Sequence, residues 1–526
     1  MAADDEAEPT VPDTVTVPNP VIPGFHPDPS VCRVGEDYYL ACSSFEYFPG
    51  VPIFHSRDLV HWTQIGNVLD RHSQLNLPAA TVSSQGVYAP TLRHHNGLFH
   101  LIVTNVSGGG NLLVTATDPA GPWSEPLALP GVPGIDPDLA WDEDGTCWCT
   151  VAGVGQVRLD LETGQAIGEV QRIWSGTPGA KAPEAPHLYR IGRWWYLLIA
   201  EGGTERGHGV SIARGPSPSG PFEPHPANPI LSHRSTDDPI QNTGHADLVQ
   251  APDGSWWAVL LGVRPGGGTP GWHVLGRETF LVPVTWADEW PVIGELSLEL
   301  PAPPWPLQPA PAEPARDDFD APTLHPRWIS LRHRPAERYT TQERPGWLTL
   351  HATSGGATTS SSGLDSMHAT FLGRRQQHQA CRVRALIDPA GNRGDRGGRG
   401  SRGGLAVRLD EHHYYTVEAS PDAVRVIARI GPLRTIAAVR PIPSGPVTLG
   451  IDIRPNTAPQ DPRTGPDTVF LGLEEPDGRS FTPLAALDGR YLSSEVAGGF
   501  TGRAIGPYAA EGTVHVDWFD YAPADD

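Results

Sequence analysis

Three acidic residues sit in proline-framed segments far apart in the chain: Asp28 in GFHPDPS, Asp136 in GIDPDLAW and Glu184 in APEAPHL. One at a time, each has an ordinary explanation. Aspartate before proline is a common turn former, and Glu184 has no helix to cap and no evident partner. Gathered in one cavity they would be electrostatically costly, so a fold that brings them together points to chemistry. Hydrolysis of a glycosidic bond needs two carboxylates in different protonation states. One protonates the leaving oxygen, and the other, ionised, activates water or attacks carbon. A third can keep the acid protonated by like-charge repulsion.

What could gather them is a repeat. Five segments share a Pro- or Ala-bearing start, an apolar anchor, a polar turn and an aromatic strand. They are HPDPSVCRVGEDYYLA from His26, YAPTLRHHNGLFHLIV from Tyr88, IDPDLAWDEDGTCWCTV from Ile135, EAPHLYRIGRWWYLLIA from Glu184 and GHADLVQAPDGSWWAVL from Gly244. Their anchors are Val31, Leu92, Leu139, Leu188 and Leu248. A second strand pattern falls between them, as in IFHSRDLVHW, LLVTATDPAGPW and VSIARGPSPSGPF. Two hairpins in a unit of about 50 residues mark a propeller blade, so residues 19–298 are expected to form a five-bladed β-propeller. A β-sandwich with similar turns is the alternative, and the regularity of the repeats weighs against it. Three positions before the anchors stand Asp28, Ala89, Asp136, Ala185 and His245, with Glu184 one residue before Ala185. Equivalent positions of successive blades converge at one end of the central axis. Asp28, Asp136, Glu184 and His245 are therefore expected in one cavity.

The composition agrees with an all-β chain. It has 526 residues, 38% hydrophobic and 19% charged, with 59 glycines and 57 prolines. The Pro-rich LPAPPWPLQPAPAEPAR (300–316) reads as a semi-rigid linker, and the alternating strands after it predict a β-sandwich. The expected organisation is an acidic N-terminal tail 1–18, a propeller 19–298, a linker 299–316 and a sandwich 317–526. The tract GNRGDRGGRGSRGG (391–404) is short, lacks aromatics and lies between two strands, which favours a hairpin tip over an RNA-binding tract. A net charge of −22 argues against nucleic acid or an anionic membrane as partner. Cys32, Cys42, Cys147, Cys149 and Cys381 are odd in number and lack zinc spacing, so buried thiols are expected. The acidic N-terminus has no apolar signal core and no run could span a bilayer, from which a cytoplasmic location is expected.

The longer motifs carry a resemblance. Through NPVIPGFHPDPSVCRVGEDYYLACSSFEYFPGVPIFHSRDLVHW, GIDPDLAWDEDG, EAPHLYRIGRWWYLLIAEGGTERGH, PIQNTGHADLV, LGRETFLVPVTW and FLGRRQQH (371–378), the chain resembles glycoside hydrolase family 43. The branch it resembles is that of two-domain β-xylosidases and α-L-arabinofuranosidases. The resemblance implies a propeller followed by a sandwich. It also implies an exo-acting, inverting hydrolase that frees terminal xylose or arabinofuranose from plant-polysaccharide oligosaccharides. Asp28 would be the general base, Glu184 the general acid and Asp136 the residue that tunes and positions the acid. Inversion implies base and acid roughly 6.5–9.5 Å apart. Arg277 in LGRE would bind the sugar near the base, and Phe45 and Tyr88, with Ala89 beside them, would line the glycone pocket. His245 would line the channel, where some relatives hold a calcium ion or its water shell. No cofactor is required; a structural calcium and a homo-oligomer are left open.

The chain departs from its relatives at three places. EAPH stands where EGPH is common, and Tyr88 where a tryptophan is common. TGRAIGPY (501–508) has Ala504 where relatives carry an aromatic in TGAFVG that reaches from the sandwich towards the active site. A carbohydrate-binding propeller without catalysis is the competing reading, and the presence of all three carboxylates argues against it. A retaining fructan hydrolase would show an Asn-Asp-Pro-Asn motif, which this sequence lacks.

Overall fold

The computed structural model describes residues 15–310, 313–332, 338–353, 363–389, 400–456, 461–475 and 480–524. Five four-stranded antiparallel sheets follow one another along the chain, their strands adjacent in sequence order except that Tyr47–Phe48 interrupts the first. Their inner strands are Ser30–Val34, Val87–His95, Asp138–Trp141, Glu184–Ile191 and Gln241–Gln250, which define blades I to V. The five anchors are all buried. Second strands such as Trp194–Glu201 and Trp256–Val263 are covered on both faces, which is why they read as nearly continuous aromatic and aliphatic runs. Separate apolar clusters weld blade I to II, II to III, III to IV, IV to V and V back to I. The expected five-bladed propeller is therefore present as a closed ring.

Side chains next to the anchors stitch the ring from within. The Leu92 amide donates to Ser30 Oγ (3.0 Å), the Leu188 amide to Asp138 Oδ2 (2.9 Å) and the Leu248 amide to the Tyr189 hydroxyl (2.9 Å). The Val31 amide donates to Asp247 Oδ2 (3.0 Å), which ties blade V to blade I. Arg93 spans the channel, donating to Asp138 and Asp247 at 2.8 Å each. Its charge holds the Asp247 carboxyl well below the usual carboxylate range against the opposing effect of burial.

Thr16–Pro18 pairs antiparallel with Glu299–Pro301, register Val17 to Leu300, and both of these apolar side chains are buried. Residues 16–18 and 299–301 thus belong to the propeller's closure rather than to a free tail and linker. Trp305 packs edge-on against Trp257 (ring centroids 5.6 Å), so the Pro-rich segment starts docked on blade V. Residues 1–14 of the expected tail and 391–399 of the Arg/Gly tract lie outside the described residues, while Arg402–Arg408 forms a strand.

The second domain is a two-sheet β-sandwich around a core of Leu, Ile and Val, as expected. One sheet ends in a strand that the propeller supplies: Tyr47–Phe48 pairs with Ile329–Leu331, Phe48 opposite Ser330 and Tyr47 opposite Leu331. All five cysteines are free and buried, and burial pushes the thiols of Cys32 and Cys147 up to about 12. No helix among the described residues is long and apolar enough to cross a membrane.

Candidate active site

Four of the five positions aligned from the sequence share an unusual backbone. Asp28, Asp136, Ala185 and His245 have φ of 57°, 52°, 49° and 49°. The left-handed region costs a residue with a Cβ about 1–2 kcal/mol, and such strain gathers at functional sites. Ala89, the fifth, is buried but lacks this φ. The inner strands shift register at this level: between Tyr88 and Thr91, between Glu184 and His187, and between Gly244 and Asp247. The inner strands of blades II, IV and V thus kink where they reach the end of the channel. Pro27 and Pro29 restrict the chain on either side of Asp28 and aim its carboxylate. Glu184 precedes the kink by one residue, and its side chain keeps 23% exposure where that of Asp28 keeps 7%.

Asp28 is held as an anion. Its Oδ2 accepts from Ser43 Oγ (2.5 Å) and its Oδ1 from Arg277 Nη1 (3.0 Å). His245 Nδ1 lies 3.4 Å from the same Oδ1. Burial alone would push this carboxyl up; Arg277 in particular, with His245 and the Ser43 hydroxyl, holds it below its ordinary value. Burial drives His245 down to about 4, against the pull of Asp28. The imidazole is then neutral near pH 7, which leaves Arg277 as the counter-charge.

Asp136 behaves oppositely. Burial first, then the charges of Glu184 and Asp28, push its carboxyl well above the usual range, although the Ala185 amide donates to its Oδ2 (3.1 Å). With Asp28 ionised and Glu184 nearby, the cavity resists a further negative charge at Asp136. His208, which no register argument singled out, stands beside them. Its Nδ1–H donates to the Asn242 carbonyl (3.1 Å), and its Nε2 lies 3.6 Å from Glu184 Oε1 with no other partner. An imidazole protonated at Nδ1 presents an acceptor at Nε2, on the side that faces Glu184.

The aromatic wall comes from both domains. Phe45 and Tyr88 meet at 5.8 Å, and Phe500 packs on them at 6.1 and 6.0 Å. The Arg277 guanidinium lies over Phe45 (5.7 Å) and Phe500 (5.4 Å). Ala504, read from the sequence as the gap in this wall, is instead fully buried within the sandwich. The aromatic arrives four residues earlier because the 498–503 turn, not the following strand, meets the propeller. Ser84 is its fixing point: Ser84 Oγ accepts from the Phe500 amide (2.8 Å), and the Ser84 carbonyl accepts from the Tyr88 hydroxyl (3.0 Å). A cavity of about 340 Å³ opens beside Arg277, lined also by Thr204, Asn242, His273, Glu495 and Phe500. Asn242 Oδ1 is buried there without a partner, a second polar group that the register did not identify.

His245 does not carry the donor set of a calcium cage. Calcium takes six to eight oxygens, whereas His245 faces the imidazole of His187 (6.4 Å) and a carboxylate already held by Arg277 and Ser43. Among the described residues no group of three or more His, Cys, Asp or Glu side chains could hold a metal ion.

Comparison with known proteins matches this geometry to a family. Residues 17–291 match glycosyl hydrolases family 43, and residues 316–522 match the β-xylosidase C-terminal concanavalin A-like domain. The chain is 38% identical to the non-reducing end α-L-arabinofuranosidase BoGH43B of Bacteroides ovatus, over 96% of this chain and 94% of that one. It is 45% identical to a xylosidase/arabinosidase of Butyrivibrio fibrisolvens, over 63% of this chain and 68% of that one. Among solved structures, GH43B of the Bacteroides ovatus xyloglucan locus superposes with a TM-score of 0.85 at 36% identity, covering 97% of this chain and all (100%) of that one. A xylan β-1,4-xylosidase from Bacillus halodurans gives a TM-score of 0.85 at 32% identity, covering 96% and 99%.

Proposed function

The chain belongs to glycosyl hydrolases family 43, and from that premise we propose that it removes a terminal xylose or arabinofuranose from plant-polysaccharide oligosaccharides in one inverting displacement. The observation that carries the reading is the opposed electrostatics of Asp28 and Asp136: one carboxyl held ionised by Arg277, the other kept protonatable by burial and like charge. Asp28 takes a proton from water as the oxygen attacks the anomeric carbon. Glu184 gives a proton to the leaving glycosidic oxygen as that bond breaks, and the sugar departs with its configuration inverted. Glu184 fits the acid's role because it is the more exposed of the two carboxyls, while Asp136 is buried and tied to the Ala185 amide. Phe45, Tyr88 and Phe500 offer ring faces to the sugar, and Arg277 has N–H groups beyond the one bound to Asp28. An aromatic wall built by both domains beside Arg277 suits a chain-end sugar and hence exo action.

The reaction as proposed uses only carboxylates and water, so a chelator is expected to leave the rate unchanged. The test is a panel of aryl β-xylosides, aryl α-L-arabinofuranosides and the corresponding oligosaccharides, with proton NMR of the first-formed anomer. Release of a pentose with inverted configuration is expected. Retention, or turnover of hexosides but neither pentoside, would overturn the proposal.

A further inference from the structure

A second cavity, about 820 Å³, lies between the propeller and the sandwich, and none of the three carboxylates of the active site lines it. Its walls carry four arginines, Arg264, Arg327, Arg374 and Arg375, against one carboxylate, Glu313. Two of the arginines are neutralised. Arg264 makes a bidentate pair with the buried Glu278 (2.7 and 2.9 Å), and Arg327 donates to Glu313 (3.1 Å). The other two have no carboxylate within ion-pair distance among the described residues, although they are only 6% and 4% exposed. Their faces are covered by rings: Arg374 lies over Tyr521 (4.3 Å) and Arg375 over Phe25 (4.7 Å). Their N–H edges are only partly engaged, Arg374 Nη2 donating to Gln377 Oε1 (3.2 Å). Arg374 Nη1, Arg375 Nε and Nη2, and Arg327 Nε are all buried without a hydrogen-bond partner. Burial pushes both free guanidinium groups down to about 10, and Arg327 adds to this at Arg374.

A buried, unpaired charge is costly, and a chain with net charge −22 has no shortage of carboxylates with which to pair it. Guanidinium forks match oxyanion geometry and bind it through charge-assisted hydrogen bonds. We propose that this interdomain cleft is an anion-binding site, in which a small inorganic oxyanion of the phosphate class neutralises the Arg374–Arg375 pair and ties the sandwich to the propeller. Arg374 and Arg375 end the sandwich strand Thr370–Arg375, while Phe25 and the opposite wall belong to the propeller, so a bound anion touches both domains.

The test uses the full chain and inorganic phosphate. Calorimetry in a phosphate-free buffer should show one phosphate bound per chain outside the catalytic pocket, with its heat retained by Arg277→Gln. Melting in saturating phosphate should exceed melting in sodium chloride of equal ionic strength by about 2–4 °C. Arg374→Gln/Arg375→Gln should lose both the heat and the shift. Should the double variant not fold, Arg374→Gln alone should weaken phosphate binding at least about tenfold, a loss typical of one charge-assisted bond. Wild-type protein that gives no heat and equal melting in the two salts overturns the proposal. So does a phosphate response undiminished in the arginine variants.

Discussion

Replacing Arg277 with glutamine tests whether Asp28 is an anion because of its neighbour. The guanidinium Nη1 is 3.0 Å from Asp28 Oδ1, and both side chains are buried. At that separation and an effective dielectric of about 20, the attraction is about 5.5 kcal/mol, an upper limit for the net effect. Carboxylates beside an arginine are held down by about 1–3 pKa units, or about 1.4–4 kcal/mol. Two groups temper the loss. Ser43 still donates at 2.5 Å, and His245, at 3.4 Å, can take up a proton once the competing cation is gone. The sign follows from the cause: without Arg277, burial is less opposed, the Asp28 carboxyl rises, and the ionised base is lost at a higher pH. The acidic limb of kcat/KM, measured with an aryl pentoside carrying a good leaving group, should therefore move up by about 1–3 pH units. Arg277→Lys, which keeps the charge, should leave the limb nearer its original place. An acidic limb that stays fixed while only KM rises would refute the reasoning and leave Arg277 as a sugar-binding group with no hold on the base.

Glu184→Ala should cut turnover of oligosaccharides by about 10²–10⁴-fold while sparing aryl glycosides with activated leaving groups, as initial rates on the two substrate types will show. Asp136→Asn disturbs the carboxyl that accepts from the Ala185 amide next to Glu184 and should lower kcat on oligosaccharides by about 10²-fold through misplacement of Glu184. A kcat equal to that of the wild type would argue against Asp136 as the residue that positions the acid. Ala185→Gly places a residue without a Cβ at φ 49° and should raise stability by up to about 1 kcal/mol in denaturant titration, less what glycine adds to the unfolded chain's entropy.

The propeller was legible because each blade repeats the same few constraints: a buried anchor, a polar turn and an aromatic second strand. The register extended further than the elements themselves. It placed Asp28, Asp136, Ala185 and His245 at one level, and all four share the left-handed backbone there. What it could not reach were residues that repeat nothing. His208 lies in GHGV just before the third strand of blade IV (Gly209–Gly215), outside any aligned position, and meets Glu184 from within the same blade. Tyr47–Phe48 reads locally as the approach to a Pro-Gly turn, yet its pairing partner is about 280 residues away, and strand pairing over that distance leaves no local signature. Phe500 was hidden for the same reason. Its neighbours Phe45, Ser84 and Tyr88 are in the propeller, and reading the aromatic four residues later assigned to the pocket wall a position that is core.

These non-local contacts change what the second domain does. The loop bearing Arg277 is wedged against the sandwich turn: a Cβ on Gly502 would stand 2.1 Å from the Leu275 carbonyl oxygen, and one on Gly276 (φ 78°) would stand 2.7 Å from the Gly502 nitrogen. The Arg503 amide closes the junction by donating to the Val274 carbonyl (3.1 Å), and the Arg503 guanidinium is itself anchored in the sandwich by Asp467 (2.6 and 3.0 Å). Phe500 caps the guanidinium of Arg277 from the same turn. On the opposite side, Glu46, next to Phe45, accepts from the Ser84 amide (2.9 Å) and lies 3.6 Å from the sandwich's Arg408, both side chains fully buried. The group that keeps Asp28 ionised is thus positioned by the sandwich as well as by blade V. The domain boundary written in the Pro-rich segment separates two hydrophobic cores, but the surroundings of Arg277, the partner of Asp28, are built across it.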